Sequence, residues 1–208
     1  DVATQSWVTR ATSNPASIYR HAHQGPQNAK PKADHQINLP QLQDWHQWNA
    51  DHGLEYQRVH DFDASFEEAL ADICRAGRAT PHHDGTRWGV VIDRPRSVVT
   101  SHITPRNAWG IKGSITPLDP PDAFRVRFRD RTNNYEEAER IVRRPGLVGD
   151  PYRTEDLQAP GETHPDQVWR TATRRFLEME YRAETWTASQ DFEHLVVKRG
   201  DLAVLALP

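Results

Sequence analysis

"PHHDGTRWGVVIDRP", residues 81–95, supports two opposed readings. Adjacent imidazoles at His82 and His83, beside Asp84, suggest a metal site. Asp84-Gly85 ahead of the apolar run from Trp88 to Ile92, with Pro95 closing it, suggests a β-hairpin. Neighbouring side chains on a strand point to opposite faces, so the two imidazoles diverge. Metal ligands want spacing i, i+2 on a strand or i, i+4 on a helix. The stretch therefore predicts a hairpin, and backbone reversal is the work of Asp84-Gly85.

Upstream, "SFEEALADICRAG" (65–77) predicts a helix. Ser65 and Glu68 form a capping box, and Gly77 ends the segment. Phe66, Ala69, Leu70, Ile73 and Cys74 make one apolar stripe. Before it, "LEYQRVHDF" (54–62) reads as a short strand. "LPQLQDWHQWNADHG" (39–53) reads as a helix with Leu42, Trp45 and Trp48 or Asn49 inward. "SNPASIYRHAHQGP" (13–26) reads as another, with Asn14 as cap, Pro15 in the first turn and Gly25 at the end. Residues 26–38 read as loop.

Downstream, residues 96–121 hold four prolines and short β-like pieces. "DAFRVRFRDRTNNYEEAERIVRR" (122–144) predicts a hairpin with Asn133-Asn134 at the turn. Phe124, Val126 and Phe128 share one face, and Arg125, Arg127 and Arg129 the other, with Arg131 extending the row. Residues 144–162, with three prolines and three glycines, predict an ordered excursion or loop. A helix capped by Thr163, a long strand over 179–189, a turn at Arg199-Gly200 and a last strand from Leu202 to Leu207 complete the chain. No internal repeat is visible.

Composition narrows the function classes. Only 36% of the 208 residues are apolar and 26% are charged. That is lean against the roughly 45–50% apolar (counting Gly) of ordinary globular domains. Some of the seven Trp residues are therefore expected against partner chains, where Trp is enriched. A net charge of −3 demands neither nucleic acid nor an anionic membrane. No apolar run approaches the ~18 residues of a membrane-spanning helix. The single Cys74 excludes an intrachain disulfide and a thiolate zinc cluster. The chain opens at Asp1 without Met, which suggests a piece of a longer or processed polypeptide.

The candidate chemical groups scatter. His21 and His23, two apart on a helix, lie ~200° apart around its axis. Cys74 falls on an apolar stripe, where a buried inert thiol is expected. Asp61 and Asp63 could pair, but Asp63 suits the start of the following helix better. Glu136 and Glu137 diverge on a strand, so they do not form a glycosidase pair. No GxSxG, P-loop or GxGxxG occurs. The arginine row remains, either as a solvated strand face or as an interface with an acidic neighbour or polyanion. It lacks the interleaved aromatic residues of a single-strand nucleic-acid platform.

In order, "NPASIYR", "LQDWHQWNADHG", "FEEALADICRAGRA" and "HDGTRWGVVIDRP" resemble the central region of long-tailed phage tail tip proteins, the family of lambda host-specificity protein J. "FRVRFRDRTNNYEEAE" and "VWRTATRRFLEMEYRAETWTASQDFEHLVVKRGDLAVLAL" extend the resemblance to residues 13–208. Arg199-Gly200-Asp201 stands where that family commonly has Pro-Gly-Asp, so it is read as a turn. The loop 25–38 lacks an expected aromatic stretch, and 144–162 has no clear counterpart.

The resemblance implies a baseplate hub: copies, typically three, closing the end of the tail tube, forming part of the DNA ejection channel and mounting attachment parts. The expected architecture is α+β. A subdomain of three helices on short strands (1–95) precedes a mostly antiparallel sheet or barrel with one helix (96–208). The expected role is structural and non-enzymatic, in the virion tail tip, without cofactor, metal or sequence-specific nucleic-acid binding. Distal tail, tube and fibre or spike proteins are the expected partners, besides two further copies. Interface candidates are Arg125, Arg127, Arg129, Trp45, Trp48 and Trp88. Two rivals stand beside this reading. One is a cell-wall hydrolase, which needs converging histidines or carboxylates. The other is a receptor- or carbohydrate-binding module using Trp45, Trp48 and Trp88.

Overall fold

The computed structural model of the chain describes residues 10–60, 63, 65–115, 119–192 and 196–206. The hairpin forms as the sequence predicts: β1 (Ala79–His83) pairs antiparallel with β2 (Trp88–Ile92). The Asp84 carboxylate accepts from the Thr86 and Arg87 backbone N–H groups and fixes the turn. Those bonds favour the ionised form and hold its pKa well below the usual range.

Three helices precede and flank this hairpin. α1 (Pro15–Gln24) starts at Asn14, whose side chain accepts from the Ala16 N–H. α2 (Leu39–His52) starts at Asn38 and ends at Gly53 in the left-handed region, φ 56°. α3 (Phe66–Ala76) carries the Ser65/Glu68 capping box. Leu42 and Trp45 of α2 and Leu70, Ile73 and Cys74 of α3 meet Tyr19 of α1 and Val90 of β2 in one core. Phe66, expected on the buried stripe, is 44% exposed and meets the His23 ring by an edge.

The second half is built on β5 (Ala123–Asp130), which pairs antiparallel with β6 (Glu136–Arg143). Phe124, Val126 and Phe128 face α4 (Pro165–Tyr181) and enclose Val168, Ala172 and Phe176 in a second core. The excursion 144–162 contributes β7 (Thr154–Leu157), parallel to β5 on its other side. Two further pairs stand apart: β3 (Val99–Ile103) runs parallel to β9 (Leu202–Leu205), and β4 (Trp109–Ile115) runs antiparallel to β8 (Glu184–Ser189). The class is α+β, with small separate sheets and no closed barrel among the described residues.

Three local expectations change, and two turns form where expected. Residues 54–60 form no strand, because their backbone groups are taken elsewhere: Tyr56 N–H donates to Ser13 and Gln57 N–H to Gly161. His164, not Thr163, caps α4 with its ring nitrogen, while the Thr163 hydroxyl donates to Gln57. The expected long strand from 179 is shorter, since Met179 packs on the second core and α4 continues to Tyr181. Asn133-Asn134 turns the hairpin through a 3-10 turn, and both Asn134 and Tyr135 take positive φ. Arg199-Gly200 is a turn as expected, clipped by Lys198 N–H donating to Asp201. Asp61 and Leu207 lie outside the described residues.

Polar contacts join the halves, and α4 makes most of them. The Gln167 side chain takes up both the N–H and the carbonyl of Glu55. The Arg170 guanidinium donates to the carbonyls of His52 and Gly53, satisfying the open end of α2. Asp93, just past β2, receives both Arg174 and Arg182. Gly161, at φ 76°, sits so close under the Tyr56 ring that a Cβ would collide with it.

Candidate assembly surfaces

The arginine row lies on the outer face of the β6-β5-β7 sheet, as its alternation requires. The register sets Arg127 opposite Glu139 and Arg129 opposite Glu137, with Asp156 of β7 beside Arg125. Arg125 lies 3.5 Å from Glu139 and 4.0 Å from Asp156. Arg127 shares Glu139 at 3.7 Å, and Arg129 reaches Glu137 at 3.7 Å. Arg131 leaves the row and pairs with Glu55 across the junction. The row is thus part of a lattice of alternating charge. A polyanion would have to displace its own carboxylates.

The tryptophan candidates divide by burial. Trp45 is wholly buried, and its indole N–H donates to the Gly77 carbonyl at 2.8 Å. It is core, not surface. Trp48 is half-buried, with its ring 3.6 Å from that of His52. Trp88 is half-buried between His23 and His83, with ring centroids 5.2 and 4.8 Å away. None of the three stands as a free aromatic platform.

The histidines likewise scatter. His23 is fully buried among Tyr19, Phe66 and Trp88, and neither ring nitrogen has a hydrogen-bond partner. Burial, with the Lys32 charge added, pushes its pKa down to about 4. Cys74 is buried and its thiol pushed up. Among the described residues no three His, Cys, Asp or Glu side chains gather as a metal site. No helix there is long and apolar enough to cross a membrane.

The surface that sequence reading missed is the pair of two-stranded ribbons. In β4·β8, Gly113 pairs with Trp186 and Ile115 with Glu184. Alternation puts Gly113, Ile115, Glu184, Trp186 and Ala188 on one side, and Lys112, Ser114, Thr185 and Thr187 on the other. The Trp186 ring lies across Gly113, where a Cβ would come within 2.6 Å of it. Ile115 is 68% exposed and Trp186 46%. This side leaves Ile115 and Trp186 exposed, with the Trp186 indole N–H donating to the Glu184 carboxylate beside them.

The β3·β9 ribbon is odder still. Parallel strands normally lie in sheets covered on both faces. Here one parallel pair stands alone, with Val99, Leu202 and Val204 each more than a third exposed. A pair of strands is marginal in water by itself. Among the described residues neither ribbon joins a larger sheet, and open strand edges are templates for another chain. The period-two pattern of "WGIKGSI" and "ETWTAS" is the signal that would have exposed this surface in the sequence.

No family model and no curated protein matches the chain. Its fold, however, is found elsewhere. The tail protein from Neisseria meningitidis MC58 shares it, with a TM-score of 0.54 at 9% sequence identity, over 74% of this chain and 48% of that one. The 43 kDa tail protein of prophage MuSo2 from Shewanella oneidensis matches more loosely, with a TM-score of 0.43 at 8% identity, over 74% of this chain and 46% of that one. The chain spans less than half the length of either. The likeness is one of fold. It shows that an arrangement like this one occurs in a tail protein.

Proposed function

We propose that the chain is a structural, non-enzymatic module of a phage or prophage tail. It sits at the tail tip as part of the hub, in three copies around the DNA path, and links the tube end to attachment parts. The observation that carries this reading is the pair of ribbons, which among the described residues join no larger sheet and leave Val99, Ile115, Trp186, Leu202 and Val204 exposed, on a fold shared with a tail protein. Assembly against distal tail, tube and fibre or spike proteins would complete their core. The lean apolar fraction fits a protein that finishes burying its surface only between chains. The charge lattice on the β6-β5-β7 face suits a polar contact of fixed register better than nucleic-acid binding. The division into subdomains 1–95 and 96–208 is supported by two separate cores that meet through polar contacts.

Immunogold labelling of intact tails with an antibody to this chain tests the placement. Label confined to the distal tip is expected. Label along the shaft, or none on assembled tails, contradicts it.

A further inference from the structure

At one place in the junction between the halves, Tyr56 and Gln57 lie against Gly161 and Thr163. Gln57 N–H donates to the Gly161 carbonyl at 2.7 Å, and the Thr163 hydroxyl donates to the Gln57 side chain at 3.3 Å. The Tyr56 ring covers Gly161. Glu162 is held between these two fastened residues, and its side chain turns inward, 3% exposed. One carboxyl oxygen accepts from the Thr171 hydroxyl of α4 at 2.9 Å, and the other is buried without a hydrogen-bond partner. Glu162 belongs to neither apolar core.

Three cations face this carboxyl: Arg78 and Arg75 from the first half and Arg170 from α4. Among the described residues none of them is ion-paired with it. Arg170 donates to the His52 and Gly53 carbonyls, and Arg75 pairs with Asp72 at 3.9 Å. Arg78 sits in the left-handed region at φ 52°, and its Nε–H, like that of Arg170, is buried without a partner. Farther along α4, Arg174 pairs with Glu178 and Asp93. On the facing segment Glu55 pairs with Arg131, and after Glu162 the His164 ring caps α4. Burial raises the Glu162 pKa to about 7, against the Thr171 hydroxyl and the three cations, which favour the ionised form.

An ionised carboxylate with an unpartnered oxygen is costly to keep out of water. Opening the contact at Gln57 hydrates it with the least loss of structure, because the two cores lie elsewhere and keep their apolar burial. We infer that Glu162 is a proton-operated latch: the protonated carboxyl keeps residues 161–163 on residues 56–57, and loss of the proton frees that contact while both cores stay folded. Glu162 titrates higher in the closed junction than in the open, hydrated one. Closure is therefore favoured at low pH and weakens as pH rises through about 7. This motion lies within one chain and is independent of the place of the chain in a tail.

Amide exchange of the full chain, followed residue by residue by NMR and divided by the intrinsic rate at each pH, tests the latch. The Gln57 amide is expected to lose protection at least about tenfold between about pH 5 and about pH 8. The amides of Ile73 in α3 and Val126 in β5 should keep theirs. In Glu162→Gln, which cannot ionise, Gln57 should stay protected at both values. Equal protection of Gln57 at the two values in the parent chain overturns the inference, whether or not the variant folds. The same loss in Glu162→Gln assigns the effect to another group, such as His164, and overturns it too. A loss shared equally by Ile73 and Val126 shows global unfolding in place of a local release and overturns it as well.

Discussion

Two buried ionisable side chains give this protein opposite responses to pH. His23 is neutral in the fold, with its pKa lowered to about 4 by burial and by Lys32. Unfolded, it would protonate near 6.5, so its contribution is complete above that pH and is lost as pH falls through about 4. The shift corresponds to about 3 kcal/mol. Urea unfolding of His23→Phe should show a much flatter loss of stability between neutral and acid pH than the parent chain. Glu162 runs the other way. It is 3% exposed, with one oxygen accepting from Thr171 and the other unpartnered, and burial raises its pKa to about 7. Its contribution is present below about 4.5 and lost as pH rises through about 7. Glu162→Gln should therefore be the more stable chain at about pH 8 and close to neutral in effect at about pH 4, as read by thermal unfolding at the two values. On the exposed arginine row the expectation is small: Arg127→Ala should change stability by less than about 0.5 kcal/mol.

At the level of elements, what was legible is what local chemistry dictates. The Ser65/Glu68 box, Asn14-Pro15, Asp84-Gly85 and the alternation from Phe124 to Phe128 each act within a few residues, and each formed the element expected. What was not legible depends on distant partners. Residues 54–60 carry a strand-like pattern, but Ser13 and Gly161 take their backbone groups. β7 exists because Asp122 pins the chain after an excursion, and α4 outruns its expected end because Met179 finds the second core. The site divides in the same way. The arginine face was readable from alternation, whereas its neutralisation by Glu137, Glu139 and Asp156 depends on register. Trp45 was inward on its helix from the start, and its burial follows from that position. Because its ring fills the first core, Trp45→Ala should cost about 3–5 kcal/mol in chemical denaturation.

At the level of the whole molecule, two apolar cores meet through a polar junction, and two ribbons leave apolar side chains exposed among the described residues. Asp93 concentrates the junction, since it receives Arg174 and Arg182 from the other half, and Glu178 pairs with both guanidinium groups beside it. Asp93→Ala leaves both guanidinium groups without that partner and should lower stability by about 1–3 kcal/mol, with the two halves ceasing to unfold together in differential scanning calorimetry. The ribbons bear on the central claim, that this chain completes its fold only within a tail. Amide hydrogen exchange over Trp109–Ile115 and Glu184–Ser189 compares the isolated chain with the same chain in assembled tails. The account predicts rapid exchange in isolation and strong protection after assembly. Equal exchange rates in the two states would contradict it.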